Sequence, residues 1–209
     1  MTRNKLIIKY VRALKGKTKI LDIGCADMPE IEITKPSLLH KLIVDAAPQG
    51  VEVVGFDQNY ERVGQLVTQG YKCISGDILN PTLNDQYDLI IAGEIIEHIH
   101  DQSLFFRSVG KLLKPGGTAL VSTPNPSGII SVLGYWLIAE ERGGEGHVLW
   151  QSPKTARYIA ANEGLTLEKV HHCNWDYPEP WMYLAYPFEL FPRMRPTLLF
   201  NFTKKIKYY

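Results

Sequence analysis

Four apolar runs that each close on an acid constrain this chain more than any other feature. They are Lys19-Ile20-Leu21-Asp22-Ile23-Gly24-Cys25-Ala26-Asp27, Val51-Glu52-Val53-Val54-Gly55-Phe56-Asp57, Tyr71-Lys72-Cys73-Ile74-Ser75-Gly76-Asp77 and Tyr87-Asp88-Leu89-Ile90-Ile91-Ala92-Gly93-Glu94. The first reads as a buried strand feeding a tight loop, because strands covered on both faces are nearly continuous apolar runs, and the other three repeat its strand-and-acid punctuation. A single glycine after a first strand is a weak signal; four strand-and-acid punctuations in order are not. Acids at the carboxyl ends of successive strands line one crevice, which is where open parallel sheets bind ligands. The pattern points to a nucleoside-containing ligand.

The segments between the runs complete an α/β pattern. Leu6, Tyr10, Val11 and Leu14 recur at helical spacing, so residues 1–16 are expected to hold a helix that Gly16 stops. The route from the first strand to the second is long, with Ser37 placed to cap a helix through Leu38, Leu39, Leu42 and Ile43. Glu61 to Gly70 reads as a short helix. Ser103 to Leu113 reads as another, ending at Lys114-Pro115-Gly116-Gly117, a turn that launches a strand over Thr118 to Ser122. Ser152-Pro153 begins a helix, with proline at its first position. Leu165 to Val170 and Thr197 to Phe202 read as the final strands.

At 209 residues the chain is expected to be one domain, 1–209, with enough length to bury a core. A net charge of +1 exerts no global pull on nucleic acid or an anionic membrane. Basic residues gather near the ends, among them Arg3, Lys5, Lys19, Lys204 and Lys205, and are read as solvated faces. Three separated cysteines, Cys25, Cys73 and Cys173, argue for a reducing compartment and against a disulfide framework or a zinc site. The longest apolar run, Ile129 to Ala139, is too short to span a bilayer. The expectation is a cytoplasmic protein with a small-molecule partner, no membrane span and no nucleic acid.

Tyr87 to Glu94 continued by Ile95-Ile96-Glu97-His98, with Leu113-Lys114-Pro115-Gly116-Gly117 downstream, resembles the class I S-adenosylmethionine-dependent methyltransferases. The branch it looks like contains the ubiquinone-type and small-molecule O-methyltransferases. The likeness covers roughly Lys19 to Val170. It implies a Rossmann-like, doubly wound, mostly parallel seven-stranded sheet with an antiparallel last strand, and S-adenosylmethionine as cofactor. By resemblance, Asp57 takes the ribose hydroxyls, Asp77 with Ile78 the adenine, Asp22 and Gly24 the methionine end, and Glu94 sits beside the transferring methyl. The plainer roles are strand end or turn for Asp57 and helix cap or turn for Asp77. The first loop departs from the family's Gly-x-Gly-x-Gly, reading Gly24-Cys25-Ala26-Asp27-Met28. Glycine serves there because it tolerates unusual φ and close backbone approach.

The activity expected is methyl transfer to an oxygen, and as second choice a nitrogen, of a small metabolite. His98 or His147 is the general base, since imidazole titrates near neutral pH. Residues 127–150, apolar and bracketed by Pro126-Ser127-Gly128 and Gly143-Gly144, are expected to cover the acceptor. Trp136, Trp150, Trp175, Tyr177, Trp181 and Tyr183 are acceptor-pocket candidates, or core. No metal is expected. Three rivals stand beside this reading. In the first, Glu94, Glu97, His98 and His147 bind a divalent ion, as in the metal-dependent methyltransferases of RNA 2′-hydroxyl ends. The second is a nicotinamide oxidoreductase, which lacks its Gly-x-Gly-x-x-Gly here. The third is a non-catalytic binding module that kept the fold while its first loop decayed.

Overall fold

The structure is a computed structural model that describes residues 1–26, 35, 38–138, 146–174, 176 and 191–205. Its strands are β1 (Lys19–Ile23), β2 (Glu52–Asp57), β3 (Cys73–Ser75), β4 (Tyr87–Gly93), β5 (Leu113–Pro124), β6 (Leu165–Cys173) and β7 (Thr197–Lys204). They form one sheet in the order β3-β2-β1-β4-β5-β7-β6. Strands β1 to β5 pair in parallel, and β7 runs antiparallel to both β5 and β6. The strand order reverses between β1 and β4, which opens the ligand crevice of such a sheet at their carboxyl ends.

The helices are α1 (Arg3–Arg12), α2 (Leu39–Ala46), α3 (Tyr60–Thr68), α4 (Gln102–Leu112), α5 (Ile129–Ile138) and α6 (Pro153–Asn162). Three start on side-chain caps: Asn59 accepts from Arg62 N, Asp101 from Leu104 N and Ser152 from Thr155 N. A cap of this kind satisfies an orphan N–H and is worth about 1 kcal/mol. On one sheet face Phe106 of α4 packs edge to face on Phe105 of the same helix and on Phe202 of β7, with ring centroids 5.3 and 5.1 Å apart. On the other, Leu6, Ile7 and Val11 of α1 meet Ile20, Ile91 and Leu199. Fully burying one such side chain contributes about 1.5–3 kcal/mol.

The turn expected at Lys114–Gly117 lies inside β5. Leu113 already pairs with Tyr87, after which the register shifts before Leu89 meets Thr118. Gly116 adopts φ +77°, and a Cβ at Gly117 would lie 2.9 Å from Lys114 O. The two glycines therefore make an irregularity within a continuous strand rather than a break before one. β3 is also shorter than the run from Tyr71 suggested. Ser37, the proposed cap of α2, lies outside the described residues; α2 starts after Leu38 with no side-chain cap. No helix among the described residues is long and apolar enough to cross a membrane.

Candidate functional site

The first loop leaves β1 through Gly24, which has φ +79°. A Cβ there would also collide with Cγ2 of Ile95. Only glycine meets both demands without strain. Its N–H donates to Phe56 O at 2.8 Å, and the Ala26 N–H donates to Asp57 Oδ2 at 3.1 Å. Asp57 Oδ1 accepts from Asn59 N at 2.9 Å, while Arg62 of α3 donates to Ala26 O through Nε and Nη2 at 2.9 and 2.6 Å. The half-buried Asp57 carboxylate thus sits between the loop after β1 and the start of α3. Asp27 and Met28 lie outside the described residues.

Asp77 follows β3, exposed, with its Oδ1 accepting from Leu79 N at 2.8 Å. Ile78 is half-buried against the main core. Asp22 is buried, and its Oδ2 meets Nδ1 of the equally buried His40 at 2.9 Å. Burial pulls the His40 imidazole down, but hydrogen bonding to Asp22 and then Cys73 outweighs it and raises the group to about 9. Asp22 therefore carries a cationic side-chain partner of its own. His40 was missed in the sequence, although a lone histidine amid Leu38, Leu39, Leu42 and Ile43 was a visible signal.

At the end of β4 the backbone turns sharply. Glu94 has φ +55°, which costs a non-glycine residue roughly 1–2 kcal/mol. Its N–H is held by Ser122 O at 3.2 Å and Ser122 Oγ at 3.1 Å. Its Oε2 pairs with Arg3 Nη1 at 2.9 Å, and Arg3 also pairs with Asp176 at 3.4 Å. Arg3 is thus not the solvated charge it was read as; α1 reaches the crevice through it.

A 3₁₀ turn, Ile96–His98, then presents Glu97 and His98. Glu97 is 2 % exposed, and its Oε2 has no hydrogen-bond partner. Burial, and then the charge of Glu94, push this carboxyl up to about 8. Glu97 O accepts from Val148 N at 2.9 Å and Leu149 N at 3.3 Å, so the turn's backbone pulls in the 146–150 segment. His98 Nδ1 lies 3.1 Å from Gly146 O, to which it donates, leaving Nε2 free to act. The rings of His98 and His147 are 4.7 Å apart, edge to face, and His147 meets Trp150 at 6.3 Å. Burial, then His98, hold His147 below the ordinary imidazole range. One donor atom each from Glu97, His98 and His147 falls within a 4.8 Å group. Such a group suits proton transfer or a divalent ion. Glu94, the fourth ligand of the metal rival, is engaged with Arg3 instead.

α5 exposes Leu133, Tyr135 and Trp136, the last at 81 %. Trp175, Tyr177, Trp181, Tyr183 and the Gly143-Gly144 hinge lie outside the described residues.

A family model described as a methyltransferase domain matches residues 3–170. The mitochondrial ubiquinone biosynthesis O-methyltransferase of Rattus norvegicus is 25 % identical over 158 residues, which is 73 % of this chain and 45 % of that protein. The chain therefore spans less than half the length of that relative. An S-adenosylmethionine-dependent methyltransferase from Mesorhizobium loti superposes with TM-score 0.64 at 16 % identity, covering 95 % of this chain and 96 % of that one. The N-methyltransferase NodS of Bradyrhizobium japonicum WM9, in complex with S-adenosyl-L-homocysteine, superposes with TM-score 0.60 at 17 % identity, covering 97 % and 85 %. Likenesses at this identity speak for the fold, and the family match speaks for descent: the chain belongs to the methyltransferase-domain family, in its class I, S-adenosylmethionine-dependent form.

Proposed function

We propose that this chain moves a methyl group from S-adenosylmethionine to a hydroxyl oxygen of a small metabolite, with a nitrogen acceptor as the lesser choice. The observation that carries the reading is the His98–His147 pair, 4.7 Å apart, one turn beyond Glu94 at the end of β4. The donor would lie across the carboxyl ends of β1 and β2. There a carboxylate such as Asp57 can accept from both ribose hydroxyls, and Asp77 with Ile78 would meet the adenine. The backbone at Gly24 would face the methionine tail. His147, kept neutral by burial and by His98, would take the acceptor's proton as the methyl leaves the sulfonium. His98 would steady it, and the protein's main contribution would be to hold oxygen, methyl and sulfur in line. The rat relative's name speaks of O-methylation in ubiquinone biosynthesis, which makes a hydroxylated aromatic the first acceptor to try. Methyl transfer from labelled S-adenosylmethionine to a panel of catechols and amines tests this directly. Label in amines alone would replace oxygen with nitrogen, and label in neither would remove the reading.

A second reading rests on Glu97, whose buried Oε2 lacks a partner while two imidazoles converge on it. These residues fit a divalent cation: Glu97, His98 and His147 would hold it, and the Gly146 carbonyl would fix the His98 tautomer. When bound, the ion would supply Lewis acidity towards the acceptor oxygen. The same assay with a chelator separates the two: unchanged turnover keeps the metal-free base, and loss restored by Mg²⁺ or Mn²⁺ replaces it.

A further inference from the structure

A second reactive group lies beneath the first loop, on the far side of β1 from the histidine pair. Cys25 follows Gly24, and Cys73 opens β3, the strand at the sheet edge. Between them runs β2, where Gly55 pairs with Cys73. A Cβ on Gly55 would lie 2.7 Å from both sulfurs. The missing side chain is what lets the two thiols share one space, no further apart than twice that distance.

Cys73 does not stand alone. Its Sγ is 3.5 Å from His40 Nε2, and His40 Nδ1 is 2.9 Å from Asp22 Oδ2. Carboxylate, imidazole and thiol therefore form a line, the arrangement that activates nucleophilic sulfur. Among the described residues, the charged and titratable groups around it are Asp22 and Cys25 from β1 and its loop, His40 and Lys41 from α2, Asp57 from β2, and Tyr71, whose ring packs edge to face on His40 and under Lys41. A hydrogen bond from Cys25, opposed by burial and aided by His40, holds the Cys73 thiol down at about 5. Cys25 is pushed the other way, by that same bond and by burial, and remains the protonated partner. Cys73 is only partly buried, so a small reagent can reach it from the sheet edge.

We propose that Cys73 is a thiolate site for hydroperoxides, with Cys25 as the thiol that resolves it into a disulfide. The Cys73 sulfur attacks one peroxide oxygen; the S–O bond forms and the O–O bond breaks. Sulfur is oxidised to a sulfenic acid, and the departing oxygen is reduced, leaving as water or an alcohol with the proton carried by His40 Nε2. The Cys25 sulfur then attacks the Cys73 sulfur; the S–S bond forms and the S–O bond breaks. The hydroxyl leaves as water with the Cys25 proton. Two thiols and one hydroperoxide thus give one disulfide and two neutral oxygen products. Closing the bond would tug the loop between Gly24 and Ala26, and only that consequence rests on the methyl-transfer reading.

The test uses the whole chain without cofactor, so its failure is separate from any failure of methyl transfer. After treatment with hydrogen peroxide, peptide mapping is expected to find Cys25 and Cys73 joined, about 2 Da lighter than the two thiols. Cys173, buried and raised to about 11 mainly by that burial, should stay free. A low-lying thiolate gives up nucleophilicity, so rate at one pH decides little. The decisive readout is iodoacetamide alkylation of Cys73 from pH 8 down to pH 6. It should change by less than about twofold, where an ordinary thiol slows by close to a hundredfold. His40→Gln should make that dependence steeper than in the parent chain, and Cys25→Ser should leave a sulfenic acid that dimedone traps. If His40→Gln does not fold, the native chain's own profile still decides. Alkylation of Cys73 that falls with pH like an ordinary thiol, or peroxide treatment that leaves Cys25 and Cys73 unlinked, overturns the proposal.

Discussion

Glu97→Gln should flatten part of the chain's pH-stability profile and make the protein more stable above neutrality. The carboxyl is 2 % exposed, and burial followed by the Glu94 charge raises it from 4.5 to about 8. A raised acid keeps its proton in the folded chain while the unfolded chain has already lost it. The folded state then binds more protons than the unfolded one, so stability falls as pH climbs from about 4.5 to about 8. At about 1.4 kcal/mol per pH unit, the accumulated loss by pH 8 is on the order of 4 kcal/mol. Glutamine keeps the shape and removes the ionisation. Urea denaturation of both proteins in chelator, from pH 4.5 to 8.5, measures the difference. His40 contributes with the same sign over a higher window: its stabilisation is full below the unfolded imidazole range and lost as pH passes about 9. That contribution is common to both proteins and cancels. Curves that coincide near pH 4.5 and separate steadily towards pH 8 are expected. Parallel curves across the range would mean that Glu97 ionises freely, and the argument from its burial would fail. Added Mn²⁺ that closes the gap at pH 8 would count for the metal reading, since a cation restores the value of the charged form.

The remaining predictions concern the crevice. His98→Ala or His147→Ala should lower turnover by about 10²–10⁴-fold with cofactor affinity near that of the parent, measured by labelled methyl transfer and titration. Full activity in both variants would leave orientation as the main source of catalysis. Gly24→Ala should cost about 2–4 kcal/mol in urea denaturation, because it combines a left-handed φ with a collision against Ile95; an unshifted midpoint would show that the loop moves freely. Amide exchange in α5 and residues 146–150 should slow when S-adenosyl-L-homocysteine and a catechol bind together, and equal protection with and without them would remove the acceptor-covering role.

The sheet was legible because its strands announce themselves singly. Each run from Lys19, Val51 and Tyr87 is mostly apolar and closes on an acid, whereas the order that pairs β1 with both β2 and β4 is seen only in the structure. Asn59, Asp101 and Ser152 sit next to the helices they cap, so helix starts were local information as well. What the sequence hid lies in contacts between distant residues. Asp22 finds His40 across the long insertion after β1, and Arg3 finds Glu94 across half the chain. Cys25 and Cys73 meet only because Gly55 stands between them in the register of β2 and β3. The approach of His147 to His98 depends on two backbone bonds from Val148 and Leu149 to Glu97 O, which carry no side-chain signature. The bulge at Gly116 was hidden for another reason: proline and glycine punctuate a turn and an irregular strand in the same way.

The central claim is that the crevice at the ends of β1, β2 and β4 binds the methyl donor, with Asp57 as its ribose acid. Calorimetric titration with S-adenosyl-L-homocysteine, on the chain and on Asp57→Ala, tests it most directly. The parent chain should bind this ligand with a dissociation constant in about the micromolar range. The variant should remain folded and bind about 30- to 150-fold more weakly, the loss of a charge-assisted pair worth roughly 2–3 kcal/mol. No saturation by the parent at about 1 mM, or equal affinity in parent and variant, would contradict it.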